Sequence, residues 1–194
     1  MVTVKRIIDW PMTLDSARTT VGKDGLNKEP SESFKKDSLI SEHSHIRNLT
    51  YEMIWDDIPY WTAMHFRTHH QGFKSGEDDL YFVQTQRTDR TQTDRDKLPQ
   101  DAPVRLRVVM NAQSIINVSR VRLCHLTALE TRGAWSGMLY ELSNIEPHLT
   151  ALCVPNCHYR NRCPEGSKCC GYNRTDKSKK ELEWYKTFCG NESL

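Results

Sequence analysis

With 194 residues the chain can build one sizeable core, and domains centre on about 100–150 residues, so one domain plus a small appendage is expected. Its 27 basic residues nearly balance 25 acidic ones, which excludes a bulk electrostatic grip on nucleic acid or an anionic membrane, and no direct nucleic-acid binding is expected. No stretch approaches the roughly 18 apolar residues of a membrane span, and "MVTVKRIIDWPMTLDSARTT" at the start has no signal-like apolar run, so a cytoplasmic protein is expected.

Residues 3–9, "TVKRIID", read as a short edge strand. The polar, turn-rich stretch 15–38 is expected to be loop. In "LTYEMIWD" Leu49, Tyr51, Met53 and Trp55 alternate with polar residues, a period near two that predicts a half-buried strand. Asp57 as cap and Pro59 at the first helical position predict a helix through "DIPYWTAMHFRTHH" to about His70, ended by Gly72. "LYFVQTQRTDR" begins as a strand and turns polar and basic. From Pro103 to Leu123 the placing of Leu106, Val109, Met110, Ile115, Ile116 and Val121 predicts an amphipathic helix. Thr127 and Glu130 stand as a capping box before a further helix, which Pro147 interrupts or restarts. The tail from 173 onward reads as a short solvated helix whose lysines form a wetted face.

Two groups of residues carry chemistry. His65 and His69, four apart, share one helical face, as a metal pair would, but no His-Glu-x-x-His pattern accompanies them. A polar helix face and a cofactor or nucleotide site are the other readings. Arginines at 87, 90 and 95 suit a phosphate, because a guanidinium's planar fork meets two oxygens at once.

Of the seven cysteines, five fall in "CVPNCHYRNRCPEGSKCC", which marks a separate C-terminal unit. Their clustering and odd total suit thiolate or metal chemistry better than a secreted disulfide framework. Cys153, Cys157, Cys163 and Cys169 (or Cys170), with His158 among them, are expected as ligands of structural zinc. An iron–sulfur cluster and free or paired cysteines are the alternatives.

The order of the segments resembles the flavin-dependent thymidylate synthases, whose signature reads R-H-R, two residues, S, then N-E-x-S-x-R. "IPYWTAMHFRTHH" is similar to the helix leading into it, with Thr68, His69 and His70 at the R-H-R positions and His65 in place of a glutamine. "TQRTDR" resembles N-E-x-S-x-R, with Gln86 at the glutamate, Thr88 at the serine and Arg90 at the arginine. "RDKLP" resembles A-R-x-x-L-P through Arg95, and "NAQSIINVSRVRLCHLTALETR" is similar to the N-x-R-S-L-x-N-F-x-x-L-R and A-Q-x-E-I-R elements through Asn111, Ser114, Asn117, Arg122, Glu130 and Arg132. "EHSHIRN" resembles H-E-x-P-x-E-H through His43. The likeness covers roughly residues 39–135.

The resemblance implies an α/β (α+β) fold, a central sheet flanked by long helices, over residues 1–150, with residues 151–194 as the cysteine-rich appendage. It implies a homotetramer with sites between subunits. FAD would accept hydride from NADPH and pass a methylene from methylenetetrahydrofolate to C5 of a pyrimidine deoxynucleotide, dUMP or a relative. Carried over by position, His43, His45, Thr68, His69, His70 and Gln86 would contact the cofactor. His65, Gln86, Thr88, Arg90, Arg95 and Arg132 would hold the nucleotide, with Thr88 and Arg132 closest to the chemistry. Two signature arginines are replaced, by Thr68 and His70, and only four residues separate Arg90 from Arg95 where the family has several tens.

Overall fold

The computed structural model describes residues 1–68 and 79–190. It is a mixed helix-and-sheet fold. β1 (Val2–Ile8) leads into α1 (Trp10–Thr19), α2 (Glu32–Ile40), β2 (Thr50–Pro59), α3 (Tyr60–Arg67), β3 (Leu80–Val83), α4 (Thr88–Thr91) and β4 (Pro103–Asn111). α5 (Ala112–Arg122), α6 (Leu129–Ser143), α7 (Pro147–Ala151), α8 (Asn156–Tyr159) and α9 (Asp176–Phe188) follow.

The strands form one antiparallel sheet in the order β1-β2-β4-β3, so β1 is an edge strand as its sequence predicts. Alternation sorts the two faces. Tyr51, Met53 and Trp55 of β2 and Leu106, Val108 and Met110 of β4 point into the core. On the opposite face Glu52 bridges Lys5 at 2.8 Å and also pairs with Arg107.

The core-facing side is covered by α3, α5 and α6. Trp55 donates its indole N–H to Ala134 O at 3.0 Å, and Trp135 donates to Ser119 Oγ at 2.9 Å. Phe66 packs on both indoles, with ring centroids at 5.3 and 5.4 Å. These bonds give each buried indole a partner and fix α6 against α3 and α5. At the far end buried Glu146 pairs with Arg6 and accepts from Trp10 Nε1 at 3.2 Å, joining β1 and α1 to the turn before α7. Pro147 occupies the first turn of α7, so it restarts the helix.

Several expectations are corrected. The stretch 15–38 is not all loop: α1 runs to Thr19, and α2 begins at Glu32 behind a Ser31 cap whose hydroxyl accepts from Phe34 N at 3.2 Å. Asp57 does not cap α3. It lies in β2 at φ 56°, where the register slips between Trp55 and Ile58, and this bulge turns the chain toward Pro59, which is the N-cap. The predicted 103–123 helix is strand β4 followed by α5, with Asn111 at the junction accepting from Ser114 N at 2.9 Å. Thr127 forms no capping box; it donates to Val121 O at 3.1 Å, and Ala128 is the N-cap of α6. Gly72 lies outside the described residues. α9 does present lysines to solvent, but its Tyr185 and Phe188 pack on the core.

Candidate functional site

The bulge in β2 and the backbone bonds Tyr60 N–H to Ala102 O (3.0 Å) and Trp61 N–H to Gln100 O (3.2 Å) set the direction of α3. Its C-terminal turn therefore approaches the polar run after β3. There Tyr60, Arg67, Gln86, Arg87 and Arg95 line one concavity of about 200 Å³. Thr88 Oγ1 accepts from Arg95 N at 3.5 Å, and Arg87 is held by a two-point pair with Asp89 at 3.0 and 2.8 Å. Among the described residues Arg67, Arg90 and Arg95 have no carboxylate at ion-pair distance. Exposed guanidinium groups without internal partners beside a polar pocket are suited to a doubly charged phosphate.

The structure thus brings Gln86, Thr88 and Arg95 together, with Arg90 on the adjoining turn α4. Arg87, which the sequence groups with Arg90 and Arg95 as suited to a phosphate, joins them, and so does Arg67, which no sequence pattern singles out. Arg87 sits inside the same "TQRTDR" run, whereas Arg67 reaches the pocket only through the path of α3.

At the C-terminus of α3, Arg122 donates to His65 O and, at 3.3 Å, to Thr68 Oγ1. Burial lowers the pKa of this guanidinium, and its Nε is buried without a hydrogen-bond partner. His65 has its Nδ1 3.1 Å from Thr131 Oγ1 and meets Trp61 edge-on, so it is a packed residue between α3 and α6. His69 and His70 lie outside the described residues, which leaves the His65–His69 pair without a described geometry. His43 and His45 stack at 5.5 Å, and His45 stacks in turn on Phe34 at 5.7 Å. His45 Nε2 is buried without a partner.

Arg132 borders a different and larger cavity of about 890 Å³, shared with His125, His158, Tyr172, Glu181 and Trp184. His125 lies flat on Tyr172 with centroids 3.6 Å apart, and Tyr172 donates to Glu181 at 2.5 Å. The C-terminal segment therefore forms one wall of the space that Arg132 faces.

The expected zinc set does not come together as written. Cys153 is buried in the main core, where its thiol donates to Leu149 O at 3.4 Å and burial pushes its pKa up to about 12. Cys157 and Cys163 instead border a small cavity with Cys170 and with Cys124, which follows α5. Cys169 accepts from Gly171 N and approaches Asn173 Oδ1, each at 3.3 Å; the Gly171 amide, foremost, and Cys163 hold this thiol below its usual range. Among the described residues no group of three or more His, Cys, Asp or Glu stands in a metal-holding arrangement. Cys124 carries no sequence signal linking it to the cluster; only the packing of α5 on α8 does.

No protein-family model matches the chain. A flavin-dependent thymidylate synthase from Clostridium tetani is 33% identical over 73 residues, which are 38% of this chain and 29% of that protein, so the match spans under a third of the relative's length. The fold is similar to that of the flavin-dependent thymidylate synthase ThyX from Helicobacter pylori, solved with FAD and dUMP, at a TM-score of 0.61 and 11% identity, covering 79% of this chain and 99% of that one. It is also similar to the UMP/dUMP methylase PolB from Streptomyces cacaoi, bound with 5-Br dUMP, at a TM-score of 0.57 and 11% identity over 78% and 94% of the two chains. Among the described residues no helix is long and apolar enough to cross a membrane.

Proposed function

We propose that this chain, a divergent relative of the flavin-dependent thymidylate synthases, binds a pyrimidine deoxynucleotide and FAD and transfers a one-carbon unit to C5 of the pyrimidine. Methylenetetrahydrofolate would be the carbon donor and NADPH the reductant, in a homotetramer with sites between subunits. The observation that carries the reading is the gathering of Arg67 and Arg87 with Gln86, Thr88 and Arg95, the last three at positions that the resemblance gives to the nucleotide.

The residues present fit a flavin nucleotide in two places. Arg122 keeps a buried, unpartnered Nε beside Thr68, and His45 keeps a buried, unpartnered Nε2 in a stack of planar rings. Each such atom loses hydration without gaining a partner, so a polar ligand group that reaches it is favoured. FAD, when bound, supplies the hydride and carbon-transfer chemistry. The chain's own part is to hold the phosphate on the arginines and to place Thr88 at the pocket edge; Arg132, which borders the other cavity, would meet the pyrimidine carbonyl only across a subunit boundary, where its charge would draw electrons from the ring.

The test is direct. Purified protein incubated with FAD should acquire flavin absorbance, and calorimetry should show dUMP binding that weakens about 10–100-fold in Arg95→Ala or Arg90→Ala, the cost of a charge-assisted contact. Unchanged dUMP affinity in both variants would remove the phosphate site. A second reading, a nucleotide-binding protein that no longer catalyses, is favoured by Thr68 and Gln86, which replace an arginine and a glutamate of the signature. It predicts dUMP binding with no C5-methylated product when NADPH and methylenetetrahydrofolate are supplied.

A further inference from the structure

We propose that Cys124, Cys157, Cys163 and Cys170 form a tetrathiolate site for a soft divalent cation, zinc above all, which fastens the C-terminal segment to the end of α5. The four come from separate places in the fold: Cys124 from the turn after α5, Cys157 from α8, Cys163 from the loop after it, and Cys170 from beyond the 3-10 turn Gly166–Lys168. All four border one cavity of about 80 Å³. A space of roughly 10–15 Å³ already admits a water-sized sphere, so an ion has room.

The surroundings say why a metal belongs there. Between Val154 and Thr175 the chain has no strand, one four-residue helix and two 3-10 turns, and only Pro155 and His158 are buried. A segment with so little apolar material cannot offset the entropy of its own ordering, and a cross-link to the main core is the usual remedy. Cys124 supplies that link, because α5 is built into the core through Ile115, Ile116 and Val118.

The other two cysteines of the segment do not border the cavity: Cys153 gives its thiol to Leu149 O inside the core, and Cys169 lies outside it, hydrogen-bonded to Cys163 and receiving the Gly171 amide. The four proposed ligands border the cavity as thiols and are not yet closed around it. Binding draws them to about 2.3 Å from the ion, and each gives up its proton, so four protons leave for every cation bound.

The experiment uses the full chain purified in metal-free buffer and then supplied with one equivalent of zinc. Elemental analysis should find one zinc per chain after dialysis. Cobalt in its place should give intense thiolate-to-metal absorption in the near ultraviolet and the visible bands of a tetrahedral ion. Cys124→Ser, Cys157→Ser, Cys163→Ser and Cys170→Ser should each release the metal to a chelator at least tenfold more readily, while Cys153→Ser and Cys169→Ser hold it as the wild type does. Cys124→His, which keeps a zinc ligand at that position, should retain the metal with weaker thiolate absorption, so the outcome does not hang on variants that fold poorly. Absence of bound zinc, a disulfide between any two of the four in unreduced protein, or equal loss in Cys153→Ser or Cys169→Ser would overturn the assignment.

Discussion

His45 shows what partial burial does to a single group. Its ring is sandwiched between Phe34 and His43, and its pKa is lowered, first by desolvation and then by the neighbouring His43. In the unfolded chain the same imidazole takes up a proton near pH 6.5. Between that value and the lower folded one the unfolded state binds more protons, so the stability His45 contributes is complete above about pH 6.5 and is lost as pH falls through the folded pKa. His125 and His158 are lowered as well, again chiefly by burial, and act in the same direction. The melting temperature should therefore drop between pH 7.5 and 5. His45→Phe, which keeps a planar ring in the stack, should make that drop shallower without abolishing it. An unaltered pH slope in the variant would show that this histidine is protonated equally in both states.

At the scale of elements, Asn111 decides where a strand becomes a helix. Its side chain accepts from Ser114 N, satisfying one of the four free amides at the start of α5, and with Thr50 it forms the last pair of the β2–β4 ladder. Asn111→Ala should cost about 1 kcal/mol in chemical denaturation, with Asn111→Asp close to wild type. The same residue explains a misreading. Leu106, Val109, Met110 and Ile115 match a helical period, yet Val104, Leu106, Val108 and Met110 also alternate, and the second pattern is the one the sheet buries. The β-branched valines and the Asn-x-x-Ser cap were the available signals for a break at 111. In 15–38 polar composition points to loop, although Ser31 before "ESFKKDSLI" is a helix start, and α2 buries only Ser38 and Leu39. Two short helices with one narrow apolar edge each leave little periodicity to read.

At the scale of the molecule, the residues of the candidate pocket divide by how they reach it. Gln86, Thr88, Arg90 and Arg95 lie within ten positions of one another and were legible as a run. Arg67 and Cys124 arrive through the paths of α3 and α5, which no local spacing encodes. The C-terminal segment is likewise joined to the rest by tertiary contacts: Leu152 and Cys153 belong to the main apolar cluster, Tyr185, Phe188 and Cys189 of the α9 region pack on it, and Arg120 lies 3.5 Å over the ring of Tyr159. Elements that share one buried cluster lose it together, so a single unfolding step is the expected outcome. Trp184 on α9 is 56% exposed, whereas Trp10, Trp55 and Trp135 are fully buried, so Trp184 reports on α9 and the other three, with half-buried Trp61, on the main core. Urea denaturation of Trp184→Phe, followed by the fluorescence of the core tryptophans, should have the same midpoint as helix loss followed by circular dichroism in the wild type. An earlier circular-dichroism transition, with the core fluorescence still native, would mean that α9 and the cysteine-rich segment detach before the sheet opens, and that the contacts of Tyr185 and Phe188 are too weak to couple them.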